Sequence, residues 1–157
     1  MIDEIDYKIL TFIQKNARIS KAEIARRLDM APSGILERLR KLRKQGIIKE
    51  YVTILEPKAM DLGLLAFVFI KTNEKRAKWD VGKILAGIPE VLEVHDISGE
   101  DGYIVKLRAK DTEHLYQILQ AHFGVLESIA STRTTIVLRT IKETTHLPLP
   151  AVGIDKD

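Results

Sequence analysis

The sequence predicts an α+β chain in two parts, an all-helical N-terminal third followed by strands that alternate with helices. Three observations predict it. Apolar residues recur at helical spacing through the first 45 residues and give way to strand-like runs beyond Gly63. The charge changes sign: residues 1–60 carry 13 Lys and Arg against 8 Asp and Glu, and residues 61–157 carry 12 against 14. The segment 56–63, with Pro57 and Gly63, has the composition of a link between domains. A basic first part and a slightly acidic remainder direct any polyanionic partner to the first part alone.

Asp3 is placed to cap a first helix, with Asp6 at the N3 position and Ile2 and Tyr7 spaced for a hydrophobic staple. Ile5, Ile9, Phe12 and Ile13 then follow i, i+4, i+7, i+8 spacing up to Asn16. Ser20-Lys-Ala-Glu23 reads as a capping box opening a second helix, with Ile24, Ala25 and Leu28 inward. After Asp29, Met30 and Ala31, Pro32 takes the first position of a third helix, where its missing N–H leaves nothing unpaired. The three helices are predicted over roughly 4–16, 21–29 and 32–45, and Gly46 is a C′ stop.

On the third helix, at about 100° per residue, Ile35, Leu39 and Leu42 fall on one line. Ser33, Glu37, Arg40, Lys41 and Lys44 fall on the opposite line. A helix, a short turn and a helix with a basic outer stripe is helix-turn-helix geometry. An ordinary αα-hairpin with a solvated basic face is the other reading of these residues.

Ile47–Leu55 is short and β-rich. Leu64–Thr72 is a strand, Ala77–Ala86 a helix ended by Gly87-Ile-Pro89, and Val91–Ser98 and Tyr103–Lys110 are strands around the Gly99–Gly102 turn. Asp111 caps a helix through about Phe123, and Leu126–Lys142 is a last β-rich stretch. The order β-α-β-β-α-β is the ferredoxin-like split βαβ unit. The predicted organisation is a helix-turn-helix domain over 1–52, a linker strand or loop over 53–63, a ferredoxin-like domain over 64–142 and a tail, partly disordered, over 143–157.

Two helices cover only one face of a four-stranded sheet. Yet in Leu64–Thr72 the residues Leu65, Phe67 and Phe69 alternate with Leu64, Ala66, Val68 and Ile70, so both faces are apolar. A second copy of the chain, paired about a two-fold axis, would cover the free face and present two third helices to two half-sites. The linker or the tail covering it within one chain is the alternative.

Zero cysteines exclude disulfides and thiolate metal sites and fit a reducing cytoplasm. Neither a signal peptide nor an apolar run of about 18 residues is present, so the expected location is cytoplasmic with no membrane partner. His95, His114, His122 and His146 are scattered without metal-ligand spacing, and no nucleophile–base motif or phosphate-cradling glycine loop occurs. Asp96, Ser98 and Glu100 imitate a calcium loop, but Asp101 stands where glycine is needed and Leu107 where the bidentate Glu belongs. No metal, cofactor or enzymatic activity is therefore expected. The rival reading is a small-molecule-binding or enzymatic ferredoxin-like domain with a fused helical domain.

The arrangement resembles the Lrp/AsnC (leucine-responsive regulatory protein, feast/famine) family of transcription regulators, from about Ile2 to Lys142. Its carriers are Ile2-Asp-Glu-Ile-Asp6-Tyr-Lys-Ile-Leu10, Arg18-Ile-Ser-Lys-Ala-Glu-Ile-Ala25, Pro32-Ser-Gly-Ile-Leu-Glu-Arg-Leu-Arg-Lys-Leu42 and Gly46-Ile-Ile-Lys-Glu-Tyr51. Further on come Pro89-Glu-Val91, Ser98-Gly-Glu-Asp-Gly-Tyr103 and Ser131-Thr-Arg-Thr-Thr-Ile-Val-Leu138. The resemblance implies a winged-type helix-turn-helix domain that binds double-stranded DNA, and a ferredoxin-like effector domain. It also implies homodimers that assemble further, as a tetramer or octamer, and an amino acid as effector. The chain departs from the family pattern at Ala31, where a capping Ser or Thr is usual, and at Gly102, where Asp is common.

For DNA the candidate residues are Lys21, Ser33, Gly34, Glu37, Arg38, Arg40, Lys41, Arg43 and Lys44. Ser33, Glu37, Arg40 and Lys41 point away from the core; Arg forks onto guanine and Glu accepts from cytosine. Arg43 and Lys44, with Lys49, supply backbone electrostatics. Lys21 reads as a phosphate contact or a solvated Lys, and Arg38, at the flank of the helix, as a phosphate clamp or a structural ion pair. For the effector the candidates are Gly99, Glu100, Asp101, Gly102 and Tyr103 in the turn and Thr132, Arg133 and Thr134 on the last strand. Backbone N–H groups of Gly99–Gly102 would hold a carboxylate, and Glu100 or Asp101 an ammonium. A plain hairpin turn with hydrated carboxylates is the alternative.

Overall fold

The computed structural model describes residues 2–73 and 80–151. It divides into two compact units, one made of Met1–Thr53 with Lys142–Asp157 and the other of Ile54–Ile141.

The first unit holds α1 (Glu4–Lys15), α2 (Lys21–Arg27) and α3 (Pro32–Lys44). The Asp3 box forms in full: Asp3 accepts from the Asp6 N–H at 2.8 Å, and Asp6 accepts from the Asp3 N–H at 3.2 Å. At α2, Ser20 Oγ accepts from the Glu23 N–H at 3.0 Å. The Glu23 carboxylate, however, turns to Arg26 and Arg27, at 2.8 and 2.7 Å. Charge-assisted bonds to two guanidinium groups outcompete the neutral backbone donor, so the box predicted at Ser20–Glu23 is closed on the Ser20 side. α3 ends in a Schellman turn. Gly46 takes φ +72°, its N–H donates to Arg43 O at 3.0 Å, and the Ile47 N–H donates to Leu42 O at 3.0 Å.

Ile9, Phe12, Ile24, Ala25 and Ile35 form one apolar cluster, and Leu10, Leu42 and Ile48 a second. Leu149 packs on the second. Within the tail, Leu147 is held on α1, because Gln14 offers a donor and an acceptor to its backbone, while residues 152–157 lie outside the described residues.

The β-rich stretch Ile47–Leu55 is a correction, for it contains no strand. Tyr51, Val52, Ile54 and Leu55 are all exposed. β-branched residues favour a strand only where a neighbour supplies the ladder, and among the described residues none does. The link that follows contains a 3-10 turn, Pro57–Met60, capped by Glu56.

The second unit contains β1 (Leu64–Thr72), α4 (Asp80–Ala86), β2 (Val91–Asp96), β3 (Tyr103–Ala109), α5 (Thr112–Ile118) and β4 (Ile129–Ile136). The predicted start of α4 at Ala77 lies outside the described residues. α5 continues as a π turn over Leu119–Phe123. The strands form one sheet in the order β2-β3-β1-β4, every neighbouring pair antiparallel. This is the ferredoxin-like topology expected from the element order.

Ala66, Val68 and Ile70 of β1 and Val105, Leu107 and Ala109 of β3 share one face and form a single core with Val81 and Leu85 of α4 and Leu115 and Ile118 of α5. The opposite face carries Phe67 and Phe69, with their partners Lys106 and Ile104 on β3 and Thr135 and Arg133 on β4. Among the described residues no helix lies on it.

Candidate nucleic-acid interface and ligand turn

α3 is fixed in the first unit by its inner ridge. Ile35 and Leu42 are buried, and Leu39 packs against both clusters. With that side committed, 100° geometry turns the rest outward: Ser33, Glu37, Arg40, Lys41, Arg43 and Lys44 are all exposed. Ala31, at the N-cap, makes no side-chain cap bond. Gly34 is half-buried, and a Cβ there would meet the Met30 Cε at an ordinary 3.5 Å, so its space does not require glycine.

Lys21 at the start of α2 comes to the same concave surface as Arg40 and Arg43. A groove of about 660 Å³ is lined by these three, by Ser20 and Tyr51, and by an apolar floor that includes Ile13, Leu36 and Leu39. Sequence reasoning missed Tyr51 because it read the stretch around it as a strand. The available signal was an aromatic side chain beside Lys49 in a basic domain.

Arg38 resolves into the structural alternative. Its Nη1 donates to Asp3 at 2.7 Å and to Asp6 at 2.8 Å, tying α3 to the start of α1. The Arg38 hydrogen bond, helped by the Asp6 N–H, holds the Asp3 carboxyl below the usual carboxylate range. Around Glu23, hydrogen bonds from Arg26 and then Arg27 pull its carboxyl down to about 2.

In the second unit the turn after β2 is tied to the sheet. The Ile97 N–H donates to Gly102 O at 3.0 Å, and the Gly102 N–H donates to Ile70 O at 2.8 Å. The Gly102 N–H is therefore engaged by the sheet, a correction to the expectation that all N–H groups from Gly99 to Gly102 face a carboxylate. Gly99 takes φ +124°, a conformation that favours glycine. Glu100 is exposed, and Asp101 accepts from Arg133 at 3.2 Å. The Arg133 guanidinium lies 4.0 Å from the centre of the Phe69 ring.

The effector candidates on the strands divide by face. Tyr103 and Thr132 both pair with Ile70, and Thr134 pairs with Val68, which puts these three on the helix-covered face. Arg133 stands on the other face with Asp101. Tyr103 is fitted closely, because a Cβ on Gly82 of α4 would lie 3.0 Å from its ring.

A three-helix unit with an exposed basic reading helix, on one chain with a ferredoxin-like unit, defines the class of two-part DNA-binding regulators. The model of winged helix-turn-helix DNA-binding domains matches residues 2–49, and that of the Lrp/AsnC ligand-binding domain matches residues 65–147. The chain belongs to the Lrp/AsnC family of transcription regulators. It is 39% identical over 148 residues to the HTH-type transcriptional regulator FL11 of Pyrococcus horikoshii, covering 94% of this chain and 97% of that one. It is 34% identical over 150 residues to the leucine-responsive regulatory protein of Escherichia coli, covering 93% and 90%. A transcriptional regulator from Neisseria meningitidis, solved in complex with L-methionine, superposes with a TM-score of 0.89 at 30% identity, covering 96% of this chain and 98% of that one. Family members carry out regulation rather than catalysis, and among the described residues no group of acidic and His side chains is placed to hold a metal ion. No described helix is long and apolar enough to cross a membrane.

Proposed function

We propose that this regulator reads a two-fold-related DNA site through α3 and adjusts its assembly to an amino acid. One observation carries the DNA part: burial of Ile35 and Leu42 turns a continuous basic surface outward, and Lys21 joins Arg40 and Arg43 along one groove. Ser33, Glu37, Arg40 and Lys41 contact base edges, with Gly34 beside them in the first turn of α3. Lys21, Arg43 and Lys44 contact phosphates. Arg38 acts by holding α3 against α1. Binding to DNA fragments selected from genomic libraries tests this. Arg40→Ala should weaken binding by about 1–3 kcal/mol and relax specificity at one position in each half-site. Arg43→Ala should weaken all sequences alike and flatten the salt slope. Parental binding by both variants removes the assignment.

The protein works as a homodimer, and as a tetramer or octamer built from it, in the cytoplasm. The sheet face of Phe67 and Phe69 supports the dimer. The effector reading places an amino acid, with methionine first to be tried, near Gly99–Tyr103 and Thr132–Thr134. The N–H groups left after Gly102 is engaged take its carboxylate, and Glu100 or Asp101 its ammonium. A ligand held between subunits favours the assembly that it binds more tightly. A calorimetric screen of the twenty amino acids decides it. No binder at millimolar concentration, or a binder indifferent to replacing Asp101 and Thr134 together, would remove the site.

A further inference from the structure

Gln14 on α1 and the backbone of Leu147 exchange two hydrogen bonds across 133 residues of chain. The Gln14 Nε2 donates to Leu147 O at 2.8 Å, and the Leu147 N–H donates to Gln14 Oε1 at 3.0 Å. A side-chain amide here does what a neighbouring strand does. Two residues on, Leu149 packs against the cluster formed by Leu10 of α1, Leu42 of α3 and Ile48. The sequence of the segment suits this role: Leu147-Pro148-Leu149-Pro150. Each Pro fixes its own φ and biases the residue before it to an extended backbone, so both leucines are held ready before docking and little chain entropy is lost. Leu147 is itself 69% exposed, so the hold is on its backbone and not on its identity.

We propose that residues 147–149 are a clasp that completes the DNA-binding unit and sets the presentation of α3. Leu149 joins the cluster that holds Leu42 of α3, on the ridge opposite Arg40 and Lys44, and so acts on the reading helix from the side away from its basic stripe. The chain crosses between the units twice, at Thr53/Ile54 and at Ile141/Lys142. The clasp lies wholly in the first unit, on the segment that re-enters it after Ile141. This inference rests on the DNA reading above, and its test separates the two.

The full-length protein is compared with Gln14→Ala/Leu149→Ala, with Gln14→Glu and with Leu147→Ala. In the parent, the Leu147 amide should exchange with deuterium at least about tenfold more slowly than in a free peptide of residues 143–151, since a seated segment must open before it exchanges. The double variant should exchange like the peptide. Its affinity for a selected DNA fragment should fall about five- to tenfold at every salt concentration, with the salt slope unchanged, because no phosphate contact is lost. Gln14→Glu keeps the acceptor and loses the donor, and should fall between. Leu147→Ala should behave as the parent, and sedimentation should be the same for all. Peptide-like exchange in the parent overturns the clasp. So does a double variant that frees the tail and keeps parental affinity, or one whose salt slope changes. If the parent selects no DNA at all, the DNA reading fails, while the exchange measurement still judges the clasp.

Discussion

Arg38 bridges two carboxylates in unequal surroundings, Asp3 half-exposed and Asp6 only 3% exposed. Removing the guanidinium leaves Asp6 buried with the Asp3 N–H as its remaining partner, so Arg38→Ala should destabilise the first unit by about 2 kcal/mol, read from urea unfolding. The same residue shapes the acid limb of stability. The Asp3 carboxyl is lowered in the folded protein, chiefly by Arg38. Its contribution is therefore present above the ordinary carboxylate range and lost as the pH falls through the lowered value. Unfolding measured from pH 5 downward should show a shallower decline in Arg38→Ala than in the parent. Little of this was legible in the sequence, which left Arg38 open between phosphate clamp and ion pair. An ion-pair partner 35 residues away has no local signature, whereas the capping role of Asp3 is written in its own neighbours.

Among the elements, α3 starts without a cap although its geometry is ready for one. Ala31 has φ −72° and ψ 140°, the extended conformation of an N-cap residue, and makes no side-chain bond there. Ala31→Ser should therefore stabilise the protein by about 1 kcal/mol, seen as a rise of a few degrees in Tm. In α4, Gly82→Ala would push a methyl group to 3.0 Å from the Tyr103 ring. That substitution should lower Tm despite the better helix propensity of Ala, because the methyl group forces the Tyr103 ring or α4 to give way. The helices and β1 were readable because their signals are local: period, caps, and Gly46 at the αL stop. Ile47–Leu55 misled because β propensity records a fit to a partner strand, and the sequence cannot say whether one is there. The candidate ligand turn was half legible. Its glycines and carboxylates are visible in order, but only the sheet register puts Thr132 and Thr134 on one face and Arg133 on the other.

For the whole molecule, the free face of the sheet is the feature with the largest consequence for assembly. Phe67 and Phe69 lie there without a helix above them, and burying apolar area at roughly 25 cal/mol per Å² favours a second sheet. Sedimentation of the full chain at micromolar concentration should show dimers or larger species, and Phe67→Asp should shift them toward monomer; a monomeric parent would refute this. The seating of the tail was invisible beforehand, since one Gln and one Leu at opposite ends of a chain spell nothing by themselves. It also gives the protein an order of manufacture. A ribosome releases the three helices early, yet Leu147 and Leu149 follow only after the whole second unit has been translated. Until then the nascent chain carries a basic reading head that lacks its back support. A growing or prematurely stopped chain would therefore be a poor competitor for operator DNA, and full binding strength would arrive together with the unit that regulates it.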